Sequence, residues 1–72
     1  MGKQSHEKMI LQYMREHGSI TAMDAVRDFG CMRLAARISD LRWDGHDIET
    51  VYESGKNRNG ETVRYARYYL NE

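Results

Sequence analysis

The sequence predicts an α+β domain in which three short helices precede an antiparallel hairpin. Apolar residues recur at helical spacing as far as Leu41, β-branched and aromatic residues dominate from Ile48 onward, and Gly18, Gly30, Gly45 and Gly60 fall at the joints. At 72 residues the chain has room for one small domain, and a two-domain enzyme with a cleft between its halves is excluded. With 40% hydrophobic residues it is too apolar for a disordered chain, yet no apolar stretch approaches the ~20 residues that span a bilayer.

Ser5 is the expected N-cap of a first helix over residues 6–17, with Met9, Ile10, Tyr13 and Met14 on its apolar face, and residues 1–5 are expected to form a flexible arm before a domain over 6–70. Gly18 supplies the left-handed stop. Ser19 and Ile20 read as a short extended link. Thr21 and Asp24 form a capping box, with Asp in place of Glu, that opens a second helix whose apolar positions are Ala22, Ala25, Val26 and Phe29. After Gly30 a third helix carries Leu34, Ile38 and Leu41, its stripe widened by Ala35, and stops at Gly45.

Residues 48–53 and 62–70 then read as strands, joined by a loop over 54–61 in which Asn59-Gly60 is the turn. The register stays open, because Ala66, Tyr68 and Leu70 share one face and Tyr65 and Tyr69 the other, and either set can be the buried one. Helices two and three in this order form a helix-turn-helix and the hairpin a two-stranded wing, so the expected architecture is a winged helix.

Net charge is zero, with 11 basic and 11 acidic residues, but the charges are segregated. Residues 31–42 carry +2, residues 43–53 carry −4 and residues 54–69 carry +3. The two basic segments coincide with the third helix and the wing. A helix fits the DNA major groove and a basic loop beside it reaches phosphates or the minor groove, so double-stranded DNA is the expected partner.

On the third helix the residues assigned to the outward face are Met32, Arg33, Ala36, Arg37 and Asp40. Arg33 and Arg37 are expected to read guanine bidentately, Ala36 to permit close approach or meet a thymine methyl, and Asp40 to orient an arginine or face a cytosine amino group. The competing reading is an ordinary surface pair of Arg37 with Asp40. On the wing, Lys56, Asn57, Arg58 and Asn59 are the expected backbone or minor-groove contacts, against the plainer reading of a solvated turn. Arg64 is preferred to Arg67, which points to the other face. Thr21 and nearby amides at the start of helix two are expected to accept a phosphate. Trp43 is expected to pack against the wing or the Asp44 turn, or else to touch a partner.

Other chemistry finds no support in the spacing. His6, His17, His46 and Cys31 never recur at the intervals of a zinc site, no glycine-rich phosphate loop follows a strand, and no nucleophile stands with a base. No cofactor, enzymatic activity or small-molecule effector is therefore expected. Polar residues break the N-terminal apolar pattern that a secretory signal needs, and a lone cysteine suits a cytosolic protein.

The run Arg33-Leu34-Ala35-Ala36-Arg37-Ile38-Ser39-Asp40-Leu41-Arg42, with Gly45, Ile48-Glu49-Thr50, Lys56-Asn57-Arg58 and Tyr65-Ala66-Arg67-Tyr68 after it and Gly18-Ser19-Ile20-Thr21 before it, resembles the small winged helix-turn-helix proteins of bacteriophages, prophages and other mobile elements. The resemblance spans residues 9–70. It implies a winged helix that binds DNA in the cytoplasm of a bacterial host, with its recognition helix on residues 32–42 and its wing tip on residues 56–59. A single such module covers only about 600–1,000 Å² of DNA, so a homodimer, tandem sites or a protein partner is expected to add specificity. The rival expectation is a protein-interaction module on the same scaffold, such as a phage-encoded inhibitor of a host protein, which net neutrality, Trp43 and the acidic segment favour.

Overall fold

The computed structural model describes residues 3–72, with side chains from His6 onward. Helix α1 (Lys3–His17) places Ile10 and Met14, four residues apart, in full burial, with Leu11 and Tyr13 packed beside them. It begins upstream of Ser5, which therefore lies in the first turn and is not its cap. Lys3 and Gln4 are good helix formers, and no glycine or proline intervenes to stop the helix from propagating back to them. Gly18 ends it at φ 88°, its N–H donating to the Met14 carbonyl at 2.7 Å.

The link that follows is a strand, β1 (Ser19–Thr21). Three residues are too few to display a strand period, so pairing with a distant partner decides the matter, and burial of Ile20 anchors it. Helix α2 (Ala22–Phe29) opens on the capping box: the Thr21 hydroxyl accepts from the Asp24 N–H at 3.2 Å and the Asp24 carboxylate accepts from the Thr21 N–H at 3.1 Å. Of its expected apolar positions only Ala25 is buried and Phe29 partly so, while Ala22 and Val26 are exposed. An eight-residue helix spans barely two turns and meets the core along one line, where the small Ala25 allows close approach. Gly30, at φ 66°, reverses the chain, and the next residue, Cys31, is buried in the core and anchors the turn.

Helix α3 (Leu34–Trp43) buries Leu34, Ile38 and Leu41 and stops before Gly45, whose φ of 101° closes the terminus. Ala35 is exposed and adds nothing to the stripe. Strands β2 (Ile48–Lys56) and β3 (Thr62–Leu70) pair antiparallel from Ile48↔Leu70 to Lys56↔Thr62, and β1 adds to the other side of β3 through Ile20↔Tyr68, giving the order β1-β3-β2.

The second strand of the wing occurs over the expected residues, whereas the first runs on from Glu53 to Lys56, because the closing turn is compact. Asn57 and Glu61 form the last bonded pair at 3.0 Å, the Gly60 N–H returns to the Asn57 carbonyl at 3.0 Å, and Gly60 has φ 80°, the geometry of a three-residue loop.

The cross-strand partners settle the open register. Ile20, Ile48, Tyr68 and Leu70 share the face that packs on the helices, and Tyr65 and Tyr69 take the other. One core results, formed by Ile10, Met14, Ile20, Ala25, Cys31, Leu34, Ile38, Leu41 and Ile48. Beyond Thr50 the outer half of the hairpin leaves this core and is largely open to solvent.

Candidate functional site

The third helix can be sorted by angle from its buried stripe. Trp43 and Ala36 lie about 170° from the centre of Leu34, Ile38 and Leu41, Ser39 about 130° and Arg37 only about 70°. The accessibilities agree: Trp43 is 90% exposed and Met32, in the turn just before the helix, 80% exposed. Arg33 and Ser39 are open to solvent and Ala36 half-buried. Arg33 occupies the N-cap position, where its carbonyl accepts from the N–H groups of Ala36 and Arg37, and its guanidinium makes no ion pair among the described residues.

Arg37 does not share that face. Its side chain is 18% exposed and pairs through Nη2 with the Asp40 carboxylate at 3.2 Å, the arrangement weighed against base reading in the sequence. Its Nε is buried without a partner, and with His6, Cys31, Met32 and Arg33 the side chain lines a shallow pocket beside the turn. The outward set is thus Met32, Arg33, Ala36, Ser39 and Trp43, with Arg37 moved to the flank and Asp40, about 130° from the stripe, half-buried and held by Arg37. Ser39 and Trp43 were within reach of the sequence, since the same 100° steps that place Leu34 and Leu41 inward place these two outward. Trp43 packs on neither the wing nor the Asp44 turn.

Arg42, on the opposite flank, had no assigned task. Its Nε and Nη2 donate to the Ile48 carbonyl at 3.1 and 2.8 Å, and Nη2 also donates to the Thr50 hydroxyl at 2.7 Å. These bonds fasten the root of the wing to α3 and fix the angle between the two elements.

At the wing, the Lys56 ammonium donates to the Thr62 hydroxyl at 2.9 Å and stays exposed. Asn57 has a different task from the one expected. Its side-chain oxygen accepts from the N–H groups of Asn59 and Glu61, both at 3.0 Å, and its amide donates to the Glu61 carboxylate at 3.0 Å. It therefore shapes the loop and presents Arg58 and the Asn59 side chain to solvent. Arg64 lies over the Tyr52 ring, its central carbon 5.8 Å from the ring centroid.

Arg67, on the other face, donates through Nε to both carboxylate oxygens of Glu53 at 3.0 Å and through Nη1 to the Ser19 hydroxyl at 3.1 Å. These bonds to Arg67 hold the Glu53 carboxyl below the ordinary range for a glutamate.

Thr21 is corrected as well. It is 7% exposed, its hydroxyl oxygen serves the cap, and the Asp24 carboxylate occupies the amino end of α2, where it would repel a phosphate. The side chains of Arg33, Lys56, Arg58 and Arg64 remain, none in an ion pair among the described residues and all on α3's leading end or the wing. The same set of described residues holds no group of three His, Cys, Asp or Glu side chains placed to bind a metal ion, and no helix long and apolar enough to cross a membrane.

No curated protein and no solved structure shows a match to this sequence. A family defined as the winged helix-turn-helix domain matches residues 5–72, nearly the whole chain, and the three helices and three-stranded antiparallel sheet agree with it. The chain belongs to the winged helix-turn-helix domain family.

Proposed function

We propose that the protein binds double-stranded DNA as a transcriptional regulator or recombination accessory factor of a phage or mobile element, without enzymatic activity, in the bacterial cytoplasm. The observation that carries this reading is the placement of unpaired cations. Arg33 leads the outward face of α3, and Lys56, Arg58 and Arg64 stand on the wing beside it. The leading end of α3 enters the major groove, with Arg33 as the base-reading arginine and Ala36 and Ser39 small enough for close approach. The three wing cations neutralise phosphates or enter the minor groove.

Selection of bound fragments from random double-stranded DNA tests the proposal. An enriched motif is expected, and Arg33→Ala should weaken binding to it by about 1–3 kcal/mol and relax preference at one position. Arg37→Ala, whose side chain is already committed to Asp40, should leave the motif unchanged. Recovery of no motif, together with binding indifferent to Arg33→Ala, would refute groove reading.

A second reading has its own observation. Met32 and Trp43 expose large apolar surface at the two ends of the α3 face, which suits a protein partner better than phosphate. A stable protein complex lost on Trp43→Ala but retained in Lys56→Ala would favour it.

A further inference from the structure

The register of the hairpin puts the even-numbered residues of β2 and β3 on the face that packs against the helices, so Tyr52 and Arg64 stand on the α3 side of the wing. On that face Ile48 belongs to the core and Tyr68 packs on it, and Arg42 reaches across from α3 to the Thr50 hydroxyl. Tyr52 is the next side chain outward, and it is 66% exposed. Directly across the strands, Tyr52 faces Ala66 and Arg64 faces Ser54. Both opposing side chains are short, so Tyr52 and Arg64 meet on the diagonal with no larger neighbour between them. The Arg64 guanidinium lies 5.8 Å from the ring centroid and has no acidic partner among the described residues.

This contact differs in kind from those of the committed arginines. Arg67 gives its N–H groups to a carboxylate and a hydroxyl, and Arg42 gives its own to a carbonyl and a hydroxyl. A tyrosine ring attracts the cation through its face and takes none of the in-plane N–H bonds, so the fork of donors on Arg64 stays free.

We propose that Tyr52 is a positioning residue for Arg64: its ring holds the guanidinium on the α3 side of the wing, where the free fork donates to a phosphate of the DNA backbone. The inference rests on the DNA reading above. An unsupported arginine loses much rotamer freedom when it is fixed against a ligand, and here the ring has removed part of that freedom before DNA arrives. The planar fork matches two phosphate oxygens, and a phosphate contact carries no sequence information, so the gain is the same on every duplex.

The test compares affinity for double-stranded DNA among the native chain, Tyr52→Val, Tyr52→Phe, Arg64→Ala and the Tyr52→Val/Arg64→Ala double variant, each checked for folding by circular dichroism. Valine keeps the preference for a strand and removes the ring. Tyr52→Val should weaken binding about two- to fivefold, equally on a selected motif and on random DNA, and Tyr52→Phe should bind as the native chain does. Once Arg64 is alanine, Tyr52→Val should have no further effect. Without DNA, the Arg64 side-chain proton resonances should be displaced by the ring current in the native and Tyr52→Phe chains and return to ordinary positions in Tyr52→Val. Native affinity in Tyr52→Val, a loss confined to the motif, or a loss that persists in the Arg64→Ala background would overturn the proposal and leave the DNA reading standing. A native chain that binds no duplex at low salt would overturn both.

Discussion

Arg33, Arg37, Arg42, Arg64 and Arg67 are chemically alike and perform different tasks, and their neighbours decide which. Arg37 has an aspartate three residues on, Arg67 a glutamate across the strand, and Arg42 a carbonyl at the edge of β2, so each is committed within the fold. Arg33 and Arg64 have no acidic partner and remain available. The committed pair Arg67–Glu53 has a consequence in acid. Because the folded state holds the Glu53 carboxyl below its unfolded value, the associated stability is present above the unfolded value and is lost as pH falls through the folded one. Thermal unfolding measured from about pH 6 down to about pH 3 should show a decline that Glu53→Gln flattens. Glu72, lowered by its hydrogen bond to His46, contributes with the same sign. At Thr21 the expected outcome is a loss of stability: Thr21→Ala should cost about 1 kcal/mol in denaturant unfolding, and DNA affinity measured well below the unfolding midpoint should be unchanged.

At the level of elements, what was legible in the sequence was whatever repeats locally. The Leu34–Ile38–Leu41 stripe, the Thr21–Asp24 box and the turn around Asn59-Gly60 are each contained within a few residues, and each occurs where the spacing placed it. The third strand was not legible, because Ser19–Thr21 becomes a strand only by meeting Arg67, Tyr68 and Tyr69, almost fifty residues away. The face of the wing was hidden for a similar reason, since alternation offers two equivalent faces and only the core chooses between them. Candidate site residues divided along the same line. Arg33, Arg58 and Arg64 have no competing partner nearby, whereas Asn57 was absorbed by the loop and Arg37 by its own helix. The core that orients α3 should be sensitive: Ile38→Ala, at a fully buried position beneath the outward face, is expected to cost about 2–5 kcal/mol in equilibrium unfolding.

For the molecule as a whole, a net charge of zero conceals a division of labour. Ion pairs tie Arg15, Arg27, Arg37 and Arg67 to acidic side chains, and among the described residues the cations outside such pairs are Lys8 on α1, Arg42 at the root of the wing, and the group Arg33, Lys56, Arg58 and Arg64 on the leading end of α3 and the wing. The acidic segment between these elements is predicted to confine a polyanion to one face and to weaken binding that ignores sequence, so neutralising Asp47 and Glu49 should raise affinity for random DNA. Contact between the wing cations and DNA phosphates is read out by the dependence of double-stranded DNA affinity on salt. A steep linear fall of log affinity with log salt is predicted, with a slope reduced by about one in Lys56→Ala and again in Arg64→Ala. An affinity that is independent of salt, or a slope unaltered by both substitutions, would mean that these side chains do not meet phosphates.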